Sequence, residues 1–170
     1  MVVVSDTHLG PATLDRMPDE VWAMADAADV VLHAGDVTHE AVLDELRRRA
    51  RVHVVWGNND RALELPGVMV RELGGVVVGM IHDSGPRRGR AARLAEMFQA
   101  SRVVVFGHSH EPVLEETEHG QLLVNPGSPT QRRRQPVHTV AWLELDAGEV
   151  RRAEIVPVGP LAAGHRRRTP

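Results

Sequence analysis

Short runs of strand-forming residues alternate with longer amphipathic stretches along most of this 170-residue chain. Valine-rich runs bounded by glycine, proline, asparagine or aspartate are typical of β-strands. By this criterion we predict strands at residues 1–5, 30–34, 52–56, 68–73, 76–82, 102–106, 113–118, 121–125, 137–145 and 149–158. Apolar residues that recur with helical spacing predict helices at about residues 13–27, 38–50 and 87–100.

Two threonines mark the predicted starts of the first two helices. The first helix follows Thr13, and Asp15 would add favourable charge in its first turn. Thr38 is the candidate N-cap of the second helix. The arginine run at residues 47–49 falls at the C-terminal end of that helix, where the helix dipole favours cations.

The order of the predicted elements indicates the fold class. The first two-thirds reads β-α-β-α-β, then a hairpin through Gly74-Gly75, then α-β, and the last third is all β. Unbroken apolar runs such as residues 102–106 are typical of strands that are covered on both faces. The pattern therefore predicts a layered α/β domain in which a largely parallel sheet joins an antiparallel one.

The length of the chain is sufficient for one domain with its own core and short for two. We predict a single domain at residues 1–158. Residues 159–170 show no periodicity, so we expect them to form a loose C-terminal tail.

Composition excludes some chemistry and narrows the expected partners. The chain contains no cysteine, which excludes disulfides, thiolate metal ligands and cysteine nucleophiles. Residues 1–85 hold 7 arginines against 14 acidic residues, a net charge of −7, whereas residues 86–170 have a net charge of +4. This balance favours neither nucleic acid nor an anionic membrane as a partner, and the acidic first half suits a cation site. No apolar run predicts a signal peptide or a membrane span, so we expect a cytoplasmic location.

Polar residues capable of metal binding follow five of the predicted strands. They occur in the segments Asp6-Thr7-His8, Gly35-Asp36, Gly57-Asn58-Asn59-Asp60, His82-Asp83 and Gly107-His108-Ser109-His110. In an open α/β sheet the carboxyl ends of neighbouring strands face one crevice, where ligands bind. We therefore expect these five loops to converge on one site.

The side chains in these loops are oxygen and imidazole ligands without sulfur. Such a set suits divalent metals such as Mn²⁺, Fe²⁺, Ni²⁺ or Zn²⁺. The candidates are too many for one tetrahedral zinc and are about right for two metals that share a carboxylate. They are Asp6, His8, Asp36, Asn58, His82, His108 and His110.

The ordered series D-x-H, G-D, G-N-x-D, H and G-H-x-H resembles the calcineurin-like metallophosphoesterase superfamily. The later segment Asn125-Pro126-Gly127-Ser128 and the length resemble its small bacterial and archaeal phosphodiesterases most closely. The resemblance covers about residues 1–158. It implies a layered α/β/β/α sandwich with mixed sheets and a metal-dependent phosphoric ester hydrolase, most typically a phosphodiesterase.

The resemblance also implies how the ligands are divided between two divalent ions. Asp6, His8 and His110 would hold the first ion, Asn58, His82 and His108 would hold the second, and Asp36 would bridge the two. Mn²⁺ is the expected metal, with Ni²⁺, Fe²⁺ or Zn²⁺ as alternatives. In such enzymes a hydroxide that bridges the metals attacks phosphorus.

Two positions depart from the family pattern. Asn59 occupies the catalytic position where many members carry a histidine thought to protonate the leaving oxygen, and a carboxamide cannot release a proton at neutral pH. We therefore expect weak leaving-group protonation and a preference for aryl phosphodiesters. Asp83 follows His82 where relatives often have glycine, and it could strengthen cation binding, repel phosphate or point to solvent. Within the same loop, we expect Gly57 to allow the chain to turn and Asp60 to orient neighbouring groups.

Three interpretations of function stay open at this point. A phosphodiesterase acting on a small-molecule phosphoester is favoured, and a phosphomonoesterase or nucleotide pyrophosphatase of the same superfamily is the alternative enzyme. The third is a non-catalytic protein-binding scaffold, since the metallophosphoesterase-like subunit of retromer has this fold. A homo-oligomer is possible in each case.

Other residues carry weaker expectations. His33 could support a metal ligand from within its strand, although core packing is slightly favoured. The segment at residues 125–128 is predicted to form a tight turn after its strand, where it could line the site. The tryptophans are expected to be core or half-buried packing residues: Trp22, Trp56 and Trp142.

Overall fold

The computed structural model describes residues 1–118 and 120–159 of the chain. Its strands form two five-stranded sheets. The first sheet contains, in spatial order, β10 (Glu149–Val158), β9 (His138–Asp146), β1 (Val2–Val4), β2 (Val30–His33) and β3 (Arg51–Val54). The second contains β4 (Val68–Leu73), β5 (Val76–Ile81), β6 (Val103–Val105), β8 (Leu122–Asn125) and β7 (Val113–Glu116).

All ten predicted strands are present, but they pair differently from the expectation drawn from the pattern. The expectation of a largely parallel sheet joined to an antiparallel one is wrong, because each sheet contains three parallel strands together with antiparallel pairs. Strands β1, β2 and β3 are parallel in one sheet, and β5, β6 and β8 are parallel in the other. Strand β9 returns from late in the chain to pair antiparallel with β1, a choice that local sequence does not encode. The mixed sheets implied by the family resemblance are confirmed.

Three buried apolar clusters define four layers. Helices α1 (Asp19–Asp26) and α2 (Glu40–Arg47) cover the outer face of the first sheet, and α3 (Arg90–Met97) covers the outer face of the second. The third cluster lies between the two sheets. Val2 and Val4 pack beneath the helices whereas Val3 packs between the sheets, because alternate residues of a strand point to opposite faces. The α/β/β/α sandwich is therefore confirmed, and the unbroken valine runs follow from burial on both faces.

The first predicted helix is divided in two. Residues Pro11–Arg16 form a 3₁₀ helix, and α1 begins only at Asp19. Pro18 lies between them, and the residue before a proline is disfavoured in the helical region, so Met17 is extended. Thr13 does not start an α-helix; its Oγ1 accepts a hydrogen bond from the Gly10 N–H at 2.9 Å.

The second helix starts one residue later than expected. His39, not Thr38, is the N-cap, and its Nδ1 accepts the Ala41 N–H at 3.1 Å. The Thr38 hydroxyl instead donates to the Leu9 carbonyl at 3.0 Å, which joins the loop before α2 to the loop after β1.

The C-terminal expectations are only partly within the described residues. The predicted tail at 159–170 lies outside them except for Gly159, and the assignment of residues 1–158 to one domain stays a prediction. Among the helices of the described ranges, none is long and apolar enough to cross a bilayer.

Candidate metal centre

The carboxyl ends of the parallel strands in both sheets meet at one rim. The Asp6 N–H, after β1, donates to the Gly35 carbonyl, after β2, at 2.9 Å. In the second sheet the Gly107 N–H donates to the His82 carbonyl at 2.9 Å. The His108 N–H then crosses between the sheets to Asp6 Oδ2 at 3.0 Å. The convergence of these loops, predicted from the sequence, is thus present.

A first cluster consists of Asp6, His8 and His110. Asp6 Oδ1 lies 3.2 Å from His110 Nε2 and 3.9 Å from His8 Nε2, and one candidate ligand atom from each residue lies within 4.8 Å of the other two. These three atoms are buried and make no hydrogen bond to any described residue. Buried polar atoms are almost always hydrogen-bonded. Three unpaired ligand atoms that face one common point therefore indicate a binding site for a cation. The donor set therefore fits a divalent metal.

A second cluster consists of Asn58, His82 and His108. Asn58 Oδ1 lies 3.0 Å from His108 Nδ1 and 3.3 Å from His82 Nε2. The two imidazole rings meet edge to face with centroids 5.2 Å apart. A neutral carbonyl oxygen thus lies between two imidazoles.

Asp36 lies between the two clusters. Its Oδ2 is 3.5 Å from His8 Nε2 and 3.5 Å from His82 Nε2. Asp6, Asp36 and His82 also form a compact group, with candidate ligand atoms within 4.8 Å of one another. Of the predicted ligands, Asp36 therefore has the position from which one carboxylate can reach both clusters.

Two backbone carbonyls orient the histidines of the centre. His82 Nδ1 donates to the Ala34 carbonyl at 2.7 Å, and His110 Nδ1 donates to the Gln131 carbonyl. A carbonyl only accepts, so each Nδ1 carries a proton, and each Nε2 faces the centre. The orientation of both rings is thus already suited to metal binding through Nε2.

The two carboxylates of the centre are held in their charged form. Burial alone would raise the pKa of Asp36, but His82 and the N–H groups of Asn59 lower it well below the ordinary range. Burial likewise opposes ionisation of Asp6, and His110 together with the Ser5 hydroxyl more than offsets it, so the pKa of Asp6 is lowered. Two ionised carboxylates give the rim the negative charge that cations require.

The backbone of the site is strained. Non-glycine residues seldom adopt positive φ angles, and each such residue costs roughly 1 kcal/mol or more. Five of the predicted ligands have φ between 47° and 67°: Asp6, His8, Asp36, His108 and His110. Aspartate and histidine adopt this region more often than most residues, but their presence does not by itself place it, and the sequence interpretation missed it. Strain of this kind is concentrated at functional sites.

Glycines in the motifs allow the loops to approach one another closely. A Cβ on Gly57 would overlap Asp36 N and Oδ1, and a Cβ on Gly107 would overlap Ser5 Oγ. The predicted turn at Gly57 is confirmed, since the Asp60 N–H donates to the Gly57 carbonyl at 3.0 Å, but it is made without a positive φ at the glycine. Glycine is required at position 57 because Asp36 packs directly against the backbone there.

Asp60 connects the second and third loops, which confirms its predicted orienting role. Its carboxylate is fully buried and accepts the N–H groups of Asp36 at 2.9 Å, Thr38 at 2.6 Å and Gly57 at 2.8 Å. It therefore fixes the chain on both sides of the candidate bridging residue.

Asn59 and Asp83 differ in their relation to the centre. The Asn59 side chain donates to Asp36 Oδ2 at 2.7 Å, and its backbone N–H donates to Oδ1 at 2.8 Å. Asn59 thus contacts the centre, while its catalytic role stays a prediction. Asp83 is exposed, and its Oδ1 accepts the Gly85 N–H at 2.8 Å.

The segment after β8 supports the metal loops, and sequence reasoning only partly found it. Asn125 Nδ2 donates to the Gly107 carbonyl at 2.9 Å, and Ser128 Oγ donates to the Asp6 carbonyl at 2.8 Å. Thr130, which we did not single out, donates to the Thr7 carbonyl at 2.6 Å. These bonds hold the loops that carry Asp6 and His108.

His33 is a buried strand residue, as favoured from the sequence, and its ring contacts Thr7. Its ring is fully buried in β2, and Nε2 lies 3.1 Å from Thr7 Oγ1, between two candidate ligands in sequence. Burial lowers the pKa of His33 to about 3, so the ring is neutral at neutral pH.

This burial predicts an acid sensitivity of the fold. Between pH 6.5 and about 3 the unfolded chain binds a proton at His33 that the folded protein does not, so stability falls as pH falls. We expect wild type to lose about 2 kcal/mol more than His33→Gln between pH 7 and pH 5. Glutamine can keep a donor near Thr7 but cannot titrate. Urea unfolding of chelator-treated protein measures the difference, and equal losses in both proteins would contradict it.

The fold and the clustered donors place the chain among α/β proteins with a candidate metal centre. Residues 1–148 match the sequence model of the calcineurin-like phosphoesterase superfamily domain, and the chain belongs to this superfamily. The superfamily resemblance stated from the motifs is therefore confirmed.

Individual relatives agree with this placement. The chain is 36% identical over 161 residues to a probable metallophosphoesterase from Methanothermobacter thermautotrophicus, covering 92% of this chain and 91% of that protein. It resembles the structure of a novel archaeal phosphodiesterase with a TM-score of 0.69 and 21% identity, covering 91% of this chain and 98% of the other. It also resembles wild-type Vps29 from Entamoeba histolytica complexed with Zn²⁺, with a TM-score of 0.67 and 24% identity over 92% and 97% of the two chains. The two structural matches support the shared fold.

Proposed function

We propose that this protein is a phosphodiesterase that depends on two divalent metal ions. The observation that carries the proposal is the set of three buried ligand atoms without hydrogen bonds, Asp6 Oδ1, His8 Nε2 and His110 Nε2. Asp36 lies between this cluster and the second one. The ligands divide as Asp6, His8 and His110 for the first ion, Asn58, His82 and His108 for the second, and Asp36 for both.

Bound divalent ions would supply a nucleophile at neutral pH and neutralise the charge of the phosphate oxygens. The residues of the chain prepare the centre for this role. The ionised Asp36 offers one negative charge to two cations at once. Asn58 offers a neutral oxygen, which adds no repulsion toward an anionic substrate. The carbonyls that fix His82 and His110 remove the need to reorient those rings.

Asn59 sets the expected leaving-group preference. Its carboxamide already donates to Asp36, and it can donate a hydrogen bond but not a proton. A general acid contributes about 10²–10⁴-fold to such reactions. Substrates whose leaving group needs no protonation, such as aryl diesters, should therefore be hydrolysed much faster than alkyl diesters.

Metal analysis and a substrate screen test the proposal together. We expect about two Mn²⁺ ions per chain, with Ni²⁺, Fe²⁺ and Zn²⁺ as alternatives, and hydrolysis of bis(p-nitrophenyl) phosphate that is lost on chelation. The screen includes alkyl diesters, phosphomonoesters and nucleotide pyrophosphates, because the motifs do not separate these classes. Equal rates on aryl and alkyl diesters would contradict the role of Asn59. Tight metal binding without hydrolysis of any phosphoester would exclude the enzyme.

A protein-binding scaffold is the second candidate, because Vps29 shares the fold. The filled ligand positions and the convergence of their atoms favour the enzyme. The cytoplasmic location, the small-molecule substrate and a homo-oligomeric state stay predictions.

A further inference from the structure

We propose that a pocket of about 380 Å³ beside the candidate metal centre binds an uncharged aromatic ester group of the substrate. This inference rests on the proposed phosphoesterase function and adds a class of substrate to it. The pocket is formed where the chain leaves β3 and β5 and enters β4. The pocket has a polar wall, formed by Asn58, His82 and His108. The other wall is apolar and is formed by Trp56, Val68 and Ile81.

The polar wall is the second cluster of candidate metal ligands. A phosphate held at the metal centre would therefore have one of its ester oxygens at the mouth of this pocket. The group attached to that oxygen would extend along the apolar wall. Four other surface pockets contain none of the candidate metal ligands.

The apolar wall presents unusually exposed hydrophobic side chains. Trp56 is 40% exposed and Val68 is 46% exposed, so the expectation that Trp56 is a core or half-buried packing residue is wrong. The backbone N–H of Trp56 donates to the Pro66 carbonyl at 2.8 Å, which holds the Trp56 backbone beside the segment that leads to Val68. A large aromatic face kept open next to a polar centre is suited to stacking with a flat ring.

The charge of the pocket excludes a second anionic group. Asp83 lies at the pocket, and among the described lining residues there is no arginine. A further phosphate or carboxylate on that ester group would be repelled by Asp83 and would find no arginine to pair with along the apolar wall. The bound group is therefore an uncharged aryl or heteroaryl ring rather than an additional phosphate.

Binding of two phosphonates to the Mn²⁺-loaded protein tests this inference without catalysis. We expect phenylphosphonate to bind wild type about tenfold more tightly than methylphosphonate in calorimetric titrations. Trp56→Ala should lower this ratio to about one, and its methylphosphonate affinity should stay at the wild-type value.

Strand β4 offers a matched control pair. Val68 and Val70 point to the same side of the strand and are 46% and 45% exposed, but only Val68 lines the pocket. We expect Val68→Ser to lower the phenyl-to-methyl ratio several-fold and Val70→Ser to leave it unchanged. This pair also tests the inference should Trp56→Ala fold poorly.

The outcomes separate the pocket from the proposed function. Equal affinity for the two phosphonates in a wild type that hydrolyses diesters would overturn the pocket alone. A Trp56→Ala variant that loses both affinities equally would do the same. Self-association of the protein that Trp56→Ala abolishes would assign the surface to contacts between copies and overturn a substrate pocket. Absence of both phosphonate binding and hydrolysis would overturn the proposed function and the pocket with it.

Discussion

Replacing Asp36 with asparagine is expected to remove stable binding of both metal ions and to lower kcat/KM for an aryl phosphodiester by about 10³-fold or more. Asp36 Oδ2 is the one candidate oxygen that lies 3.5 Å from an imidazole of each cluster. Asparagine has nearly the same shape, so the loop should keep its position while the negative charge is lost. The remaining ligands would then face two cations with only Asp6 as an anionic partner.

The measurements are metal content after dialysis and steady-state kinetics with Mn²⁺. Asp44→Asn is the control, since Asp44 is an exposed carboxylate on α2 and the same chemical change there should affect neither quantity. Loss of one metal with the other retained would contradict a shared ligand. Unchanged activity in Asp36→Asn would exclude the bridging role altogether.

Replacing Asp60 with alanine is expected to have the second large effect, this time on stability and metal affinity together. The change leaves three N–H groups without their acceptor, those of Asp36, Thr38 and Gly57. Each buried donor left unpaired costs roughly 1–3 kcal/mol, so a loss of about 3 kcal/mol or more is expected. Mn²⁺ affinity should also fall, because the chain on either side of Asp36 is no longer held.

Urea unfolding of the metal-free protein and Mn²⁺ titration measure the two effects. Asp60→Asn should give an intermediate loss, since one acceptor oxygen remains. Asp44→Ala serves as the control and should change stability by no more than about 0.5 kcal/mol. Wild-type stability in Asp60→Ala would show that water replaces the carboxylate and that the orienting role is unimportant.

The fold was predictable as far as local patterns reach. Runs of strand-forming residues bounded by turn residues identified every strand, and the burial of β1 and β6 on both faces followed from their unbroken valine sequences. Pairing was not predictable, because the register of β9 against β1 joins residues about 140 positions apart. The split of the first helix was visible in the sequence at Pro18, and the error was to weigh apolar spacing above the restriction that proline imposes.

The candidate ligands show the same division. Their residue types and positions after strands were sufficient to select all seven, from Asp6 to His110, and the structure brings them together. The contacts that hold them were mostly not predictable. Thr130 reaches the Thr7 carbonyl from more than 120 residues away, and the open face of Trp56 depends on which segments approach it.

The sequence by itself determined where the strands lie, the family motifs and the residue types of the candidate site, because these depend on residue type and short-range spacing. Only the tertiary structure decided the left-handed backbone at five candidate ligands. It also decided the hydrogen bonds that Asp60 accepts from three N–H groups and the apolar pocket beside His108. Those features arise where segments remote in sequence approach within a few ångströms. Packing across two sheets, and not local preference, sets their geometry.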